Sequence, residues 1–250
     1  MIRFDILTIF PDIFTSYIHE SILGRAQKSG LVKINPIDLR KYTKDKHRTT
    51  DDKPYSGGPG MVMKVEPIYE AVVENSMFKT GVTKKGLTHA KSQRIILLSA
   101  SGKQFTQQKA EELKKYKQIM LIAGRYEGVD ERVAEFIADE EISVGPYVLS
   151  GGELPSLIIV EAVARLVRGV LGNEKSLQEE SFAFANNKSQ IANGKKTISH
   201  KPFVIGQREY PQYTRPEIFS PKRGIEWKVP GVLLSGDHKK IEEWRREQQK

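Results

Sequence analysis

The sequence predicts an α/β protein with a mostly parallel sheet, followed by a small second domain that is mainly helical. Over the first two thirds of the chain, apolar runs of strand length alternate with amphipathic stretches of helix length, as in βαβ units. With 38% hydrophobic and 28% charged residues among 250, the composition supports a globular core rather than a disordered chain. Near residue 173 the sequence becomes rich in Asn, Lys, Ser and Gln, which predicts a domain boundary.

Short apolar runs bounded by polar residues, Gly or Pro predict the strands. These strands span residues 2–10, 32–39, 94–99 and 118–123, with a short extended run at 142–149. Residues 41–63 are polar and Gly-rich, which predicts a long loop, and residues 79–93 form a polar connector.

Apolar residues at helical spacing predict the helices between these strands. The predicted helices span residues 13–23, 66–73, 105–116, 132–137 and 155–171. Asp12 is placed to cap the first helix, and Gly24 lies near its end. Pro67 and Pro155 fall in first helical turns, where proline is tolerated.

Three segments follow from these elements. Residues 1–172 form the α/β domain, residues 173–212 a linker or mobile loop, and residues 213–250 a small helical domain. In the third segment, Ser235-Gly236-Asp237 precedes a charged helix.

The composition excludes several classes of protein. Cysteine is absent, which rules out a disulfide scaffold, a thiolate zinc site and a cysteine nucleophile. The five histidines lack the spacing of metal ligands, so no metal site is predicted. The opening residues contain no signal-peptide core, and no run approaches the ~20 apolar residues of a membrane span. We therefore expect a soluble cytoplasmic protein with no membrane partner.

The excess of positive charge is largest near the C-terminal end. The whole chain carries a net charge of +9. Residues 161–250 hold 17 basic and 11 acidic residues, whereas residues 1–160 hold 23 and 20. Such a surplus indicates a polyanionic partner, with nucleic acid ahead of a membrane surface, although a solvated surface explains the charge alone equally well.

Three of the predicted strands end in loops of small residues, at 98–102, 123–128 and 144–152. Ligands of open α/β sheets bind outside the carboxyl ends of the strands, and glycine lets the backbone approach a ligand closely. None of the loops fits the Rossmann or P-loop pattern. One such loop is more often only a turn, but three with the same layout indicate a backbone-lined site for an adenosine-like ligand.

Five motifs, in order along nearly the whole chain, carry a family resemblance. They are DILTIFP at 5–11, GGPGMVM at 57–63, GRYEGVDER at 124–132, YVLSGGELP at 147–155 and YTRP at 213–216. These motifs closely resemble those of bacterial tRNA (guanine-N1) methyltransferases, which belong to the SPOUT superfamily and modify guanosine 37, next to the anticodon. The resemblance implies a homodimer with its active site between the subunits, a tRNA substrate with G at position 37, and a C-terminal domain that binds tRNA.

The same resemblance implies a trefoil-knotted sheet that binds S-adenosylmethionine, the methyl donor. By motif position, the cofactor contacts would be Leu97, Leu98, Ser99, Gly124, Tyr126, Glu127, Val144, Gly145, Pro146, Tyr147, Val148, Leu149, Gly151, Gly152 and Pro155. Glu127 has an alternative explanation as an ion-pair partner of Arg125 or Arg132. The family is also linked to Mg²⁺, for which Asp51-Asp52 is a candidate, although a solvated turn explains that pair more simply.

The reaction requires a carboxylate base and a cation. N1 of guanine carries a proton at neutral pH, and negative charge develops on O6 when that proton leaves. In the family, an Asp after the long helix is the base and an Arg late in that helix stabilises O6. The Arg matches Arg165, while the base position falls on Glu180, whose extra methylene changes its reach. From the residues alone, a salt bridge explains Arg165 equally well, and a solvated acidic pair explains Glu179 and Glu180.

Two other functions stay open from the sequence. One is a SPOUT methyltransferase that acts on ribosomal RNA, against which the GRYEGVDER and YTRP motifs argue. The other is a non-catalytic RNA-binding protein, which is favoured if Glu180 cannot act as a base. The 30 residues between Phe182 and Tyr213, where the family usually has a short segment, enlarge the predicted linker.

Overall fold

The computed structural model describes residues 1–55, 57, 59–172, 191–192, 195–196 and 210–248. Its contacts divide the chain into two compact units, Met1–Gly172 and Asn173–Lys250. No helix in the described part of the chain is long and apolar enough to cross a membrane.

A five-stranded parallel sheet forms the centre of the first unit. The described strands of this unit are β1 (Ile2–Thr8), β2 (Val32–Asp38), β3 (Asp51–Asp52), β4 (Val62–Met63), β5 (Gly81–Thr83), β6 (Gly86–Thr88), β7 (Gln93–Gln104), β8 (Gln118–Ala123) and β9 (Glu140–Ser143). The central sheet has the order β2-β1-β8-β7-β9, and every neighbouring pair is parallel. The prediction of an α/β fold with a parallel sheet is therefore confirmed.

Strands β1 and β8 occupy the interior of the sheet, which explains their sequences. All six residues of β8 (QIMLIA) are buried, as are six of the seven in β1. Strands covered by helices on both faces are continuously apolar rather than alternating. The unbroken apolar runs of the sequence therefore correspond to the centre of the fold.

Helices of the first unit cover this sheet. They are α1 (Thr15–Ile18), α2 (Ser21–Lys28), α3 (Val65–Asn75), α4 (Gln107–Leu113), α5 (Arg132–Phe136) and α6 (Glu153–Ala164), with 3-10 turns at Pro11–Phe14 and Leu39–Tyr42. Helix α6 packs on β1 and β8.

The predicted single helix at residues 13–23 is wrong, because the chain breaks between α1 and α2. Ser21 has a φ of +48°, which a continuous helix does not allow. Gly24 lies inside α2 rather than at a helix end, and a Cβ at this position would collide with the carbonyl of His19. Asp12 makes no side-chain capping bond in the 3-10 turn that replaces the start of the helix.

Two segments predicted to be irregular contain short antiparallel pairs. Strands β3 and β4 pair within the predicted loop 41–63, and β5 and β6 pair within the connector 79–93. The predicted helix 155–171 is also misplaced, since α6 begins two residues earlier and ends at Ala164.

The second unit contains both strands and helices. Its described elements are β10 (Ile191–Ala192), β11 (Lys195–Lys196), β12 (Ile218–Lys222), β13 (Ile225–Lys228), α7 (Gly231–Leu234) and α8 (His238–Gln248). The β12–β13 hairpin is a feature that the mainly helical prediction lacks. Most of the predicted linker 173–212 lies outside the described residues.

Candidate functional site

A cavity of about 410 Å³ lies at the carboxyl ends of β8 and β9, beside the second half of β7. Its walls come from three segments of the chain. The predicted loop 98–102 is not a loop, because β7 continues to Gln104, with a shift of its register against β9 between Leu98 and Lys103. Residues Leu97 to Ser101 form the first wall, Gly124 to Val129 the second, and the segment that leads from β9 into α6 the third. This is the edge at which open α/β sheets bind ligands.

Thirteen of the fifteen residues predicted to contact a cofactor line this one cavity. They are Leu97, Leu98, Ser99, Gly124, Tyr126, Glu127, Val144, Tyr147, Val148, Leu149, Gly151, Gly152 and Pro155. The other two, Gly145 and Pro146, do not line it. Gly145 is buried and its N–H donates a hydrogen bond to the Ser143 hydroxyl (3.3 Å), whereas Pro146 is exposed.

Ten further residues line the cavity and were not predicted. They are Ala100, Ser101, Arg125, Gly128, Val129, Glu131, Glu141, Ile142, Ser143 and Ser150. Five of them, Arg125, Gly128, Val129, Glu131 and Ser150, lie within the motifs, so the sequence carried a signal for these five. The other five lie outside the motifs. Seventeen of the 23 lining residues are Gly, Ala, Ser or apolar residues, a lining that suits the base and ribose of a nucleoside-like ligand.

Glycine at position 152 lets two walls of the cavity touch. The N–H of Gly152 donates to the carbonyl of Gly124 (2.9 Å). A Cβ on Gly152 would lie 2.6 Å from the Cα of Ala123, at the end of β8. Because that neighbour is backbone in a buried strand, any larger residue would separate the walls.

A buried ion pair fixes the same junction from the other side. The carboxylate of Glu153 is 2% exposed, and it accepts hydrogen bonds from Arg125 Nε and Thr8 Oγ1, both at 2.8 Å. Arg125 also donates to the carbonyl of Ser150 (3.2 Å) and stacks over the ring of Phe10. One carboxylate at the start of α6 thus connects β1 with two walls of the cavity.

This pairing bears on the alternative explanation of Glu127 as an ion-pair partner. In the described part of the chain, the ion pairs of Arg125 and Arg132 are with Glu153 and Asp130 respectively. Among the described residues, the alternative ion pair of Glu127 with either arginine is therefore not formed, and its exposed side chain lies in the cavity wall. A carboxylate there suits a ligand that carries positive charge.

The GGPGMVM motif reaches the cavity through its last residues. The N–H of Met63 donates to the carbonyl of Gly128, and the N–H of Asp130 donates to the carbonyl of Met63, both at 3.0 Å. The N–H of Glu127 donates to the carbonyl of Met61 (3.1 Å). The second wall is thereby held by the segment that precedes α3.

Tyr126 is held in an unusual backbone conformation at this wall, with a φ of +61°. Its half-exposed side chain donates a hydrogen bond to Asp51, and its burial and the Asp51 carboxylate together raise the pKa of Tyr126. The phenol is therefore neutral at physiological pH and acts as a donor.

Asp51 and Asp52 do not fit a Mg²⁺ site. They are neighbours in β3, so their side chains point to opposite faces. Asp51 accepts from Tyr126, and Asp52 lies 3.7 Å from the ammonium of Lys64. Among the described residues, no three His, Asp or Glu side chains converge on a point that could hold a metal.

Of the two residues predicted to be catalytic, the structure describes only Arg165. Arg165 is half-buried and caps the C-terminal end of α6, directly after Ala164, and it is not one of the described residues that line the cavity. Glu180 lies outside the described residues.

Comparison with known proteins gives one consistent result. A family model described as tRNA (Guanine-1)-methyltransferase TrmD matches residues 2–250. A tRNA (guanine-N(1)-)-methyltransferase of Dictyoglomus turgidum is 48% identical over 248 residues, covering 99% of this chain and 85% of that protein. Proteins of the same name from Carboxydothermus hydrogenoformans and Geobacillus kaustophilus are 46% and 45% identical, covering 98% and 97% of this chain and 82% and 84% of theirs.

Proposed function

Because the chain belongs to the tRNA (guanine-1)-methyltransferase family, we propose that its strand-end cavity binds S-adenosyl-L-methionine for transfer of the methyl group to N1 of guanosine 37 in tRNA. The chain is a methyltransferase that acts on tRNA, and the relatives give no support to a ribosomal RNA substrate or to a non-catalytic RNA-binding role. A tRNA substrate also favours a cytoplasmic location.

One observation carries the assignment of the cofactor to this cavity. Residues from three separate segments, chosen by position in the sequence, converge on the same cavity. In the proposed complex, main-chain groups of Leu97 to Ser99, of the segment after β8 and of Val144 to Leu149 would hold the nucleoside part. The carboxylate of Glu127 would stabilise the positive charge of the sulfonium. The bound cofactor supplies an electrophilic methyl group.

The remaining chemistry is assigned to this chain's own side chains. We assign removal of the N1 proton to Glu180 and stabilisation of the negative charge on O6 to Arg165. A positioned base and a positioned cation each contribute on the order of 10²–10³-fold to the rate of such a reaction. No step is assigned to Mg²⁺, since Asp51 and Asp52 do not fit that ion.

Calorimetry of cofactor binding tests the cavity. We expect Gly152→Ala to weaken S-adenosylmethionine binding at least tenfold, because the new methyl group would push the third wall away from Ala123. Gly172→Ala is the matched control, since a Cβ there meets nothing within 4 Å. Wild-type affinity in a folded Gly152→Ala variant would exclude this cavity as the cofactor site.

We also propose that the enzyme is a homodimer with its active site at the subunit interface. Helix α6 is apolar on nearly all sides, yet Leu154 and Ile158, one turn apart, are 55% and 37% exposed. Val148, at the cavity, is 87% exposed. An apolar face of this kind usually marks a protein interface. Sedimentation velocity should show a dimer that Ile158→Asp dissociates, and a wild-type monomer would refute the proposal.

The trefoil knot and the tRNA-binding role of the C-terminal segment complete the proposal. The return of the chain from β9 to the end of β8 before α6 is compatible with a knot, which a crystal structure of the full chain would test. The basic surplus in residues 161–250 supports tRNA binding there.

A further inference from the structure

The β12–β13 hairpin of the second unit has no part in the methyl transfer proposed above. All nine of its strand residues are exposed to solvent. Two aromatic rings stand directly opposite each other in its register, Phe219 and Trp227. Their ring centroids are 5.7 Å apart with planes inclined by 49°, and the side chains are 51% and 63% exposed.

The two faces of the hairpin differ in chemistry. Side chains alternate along a strand, so Ile225 shares the face of Trp227. Together with Phe219, these two residues form one apolar surface. We call this surface, Phe219, Ile225 and Trp227, the aromatic face. The opposite face carries Ile218 and Lys228, which pair across the strands.

Two cations stand at the tip of the hairpin beside the aromatic face. Lys222 opposes Ile225 in the register, and Arg223 follows it in a turn closed by Gly224, whose φ is +83°. Lys228 is paired with Glu226 at 2.8 Å, whereas no ion pair within the described residues involves Lys222 or Arg223. The tip therefore offers two positive charges to a partner.

This combination matches single-stranded RNA better than other partners. Exposed aromatic rings stack on unpaired bases, and neighbouring cations contact the phosphates on either side. A double-helical stem offers no free base face for stacking. The surrounding 90 residues carry most of the chain's positive surplus, which complements a polyanion.

We propose that the aromatic face stacks on an unpaired nucleobase of the tRNA substrate, with the adjacent phosphates bound by Lys222 and Arg223. This inference rests on the proposed function, because tRNA methylation is what brings RNA to the chain. It adds a contact for a specific unpaired nucleotide to the general electrostatic attraction of the basic segment.

Tryptophan fluorescence provides a direct readout. The chain has only two tryptophans, so Trp244→Phe leaves Trp227 as the single reporter. Titration of this full-length variant with unmodified tRNA should quench its emission, saturating at the tRNA concentration at which filter binding saturates. Saturated tRNA binding with unchanged emission would overturn the proposal.

Kinetics with aromatic-face variants give an independent test. Loss of one base stack corresponds to roughly a 5- to 150-fold change in affinity. We expect Phe219→Ala/Trp227→Ala to raise KM for tRNA within that range and to leave kcat within about twofold. Trp227→Phe should retain most of the affinity, because a smaller ring still stacks. Ile218→Ala, on the opposite face of the same hairpin, is the matched control.

The outcomes separate this proposal from the function on which it rests. If the wild type methylates tRNA and the double alanine variant has an unchanged KM, the aromatic face is not a base platform and only this proposal fails. If the wild type neither binds nor methylates tRNA, the proposed function itself fails. If sedimentation shows that the double variant changes oligomeric state, the face is an interface between copies of the chain, and the proposal is overturned.

Discussion

The Arg125–Glu153 ion pair gives the sharpest prediction about the junction of β1 with the cavity walls. Glu153 is buried and accepts from two donors at 2.8 Å. We expect Arg125→Met to lower the free energy of unfolding by about 3 kcal/mol, because it leaves a buried carboxylate without its cation. This is the lower end of the usual range, since the side chain of Arg125 is 22% exposed and water reaches it.

Removal of the carboxylate charge should be less costly than removal of its partner. In Glu153→Gln the amide retains one acceptor and turns its NH₂ towards a donor, for a loss of about 2 kcal/mol. The double variant should then also lose only about 2 kcal/mol, because no buried charge is left unpaired. The second substitution therefore partly rescues the first, with a coupling energy of about 3 kcal/mol.

Urea unfolding followed by circular dichroism measures these free energies, and calorimetry measures S-adenosylmethionine affinity in parallel. Arg125→Met and Glu153→Gln should each weaken S-adenosylmethionine binding. Glu140→Gln is the matched control, because Glu140 pairs with Arg94 and Lys109 at 2.8 Å at the opposite, amino-terminal edge of the sheet. It should lower stability without changing cofactor affinity. Strict additivity of the two losses at Arg125 and Glu153 would refute the reasoning.

Three further predictions concern pH, the base and salt. Hydrogen bonding to Asp139 raises the pKa of His89, whose two ring nitrogens face Asp139 Oδ1 (3.1 Å) and the carbonyl of Ala90 (3.2 Å). Because the pKa is higher in the folded state, the stabilisation by protonated His89 is fully present below the unfolded pKa of about 6.5 and is lost as pH rises through the folded pKa. The urea midpoint of the wild type should therefore fall over that pH range. The midpoint of His89→Gln should not. Glu180→Gln should lower single-turnover methylation about 100-fold or more with nearly unchanged cofactor affinity, and full activity would remove Glu180 as the base. The tRNA affinity measured by filter binding should fall steeply with salt, by a log–log slope of about −0.7 to −0.9 per phosphate contacted, and a flat dependence would contradict an electrostatic tRNA surface.

The parallel sheet could be predicted because burial on both faces leaves a direct trace in sequence. Strand β8 has the predicted limits of 118–123, since its apolar run has polar residues before it and glycine after it. The short hairpins left no such trace. Strands β5 and β6 have three residues each, and Pro221 inside β12 argues against a strand because it lacks a backbone donor.

The residues that line the candidate site were more predictable than the side-chain contacts that hold its walls in place. The ends of β8 and β9 identify which loops face the cavity, because parallel strands present their carboxyl ends together. The first wall lies inside β7, where the sequence had predicted a strand end. The partner of Arg125 was not predictable, since Glu153 lies 28 residues away and only the folded chain brings them together. The hydrogen bond between Tyr126 and Asp51 was not predictable either, because the two residues are far apart in sequence. The backbone hydrogen bonds between the GGPGMVM segment and the second wall bring them together.

Locating the transferred methyl group is the most direct test of N1 methylation at guanosine 37. Unmodified tRNA with G at positions 36 and 37 is incubated with the enzyme and S-adenosylmethionine, digested by nuclease and mapped by mass spectrometry. We predict one added methyl group, on the fragment that contains guanosine 37, as 1-methylguanosine, and none when guanosine 37 is replaced by adenosine. A methyl group at another position, or undiminished methylation of the substituted tRNA, would contradict the assignment.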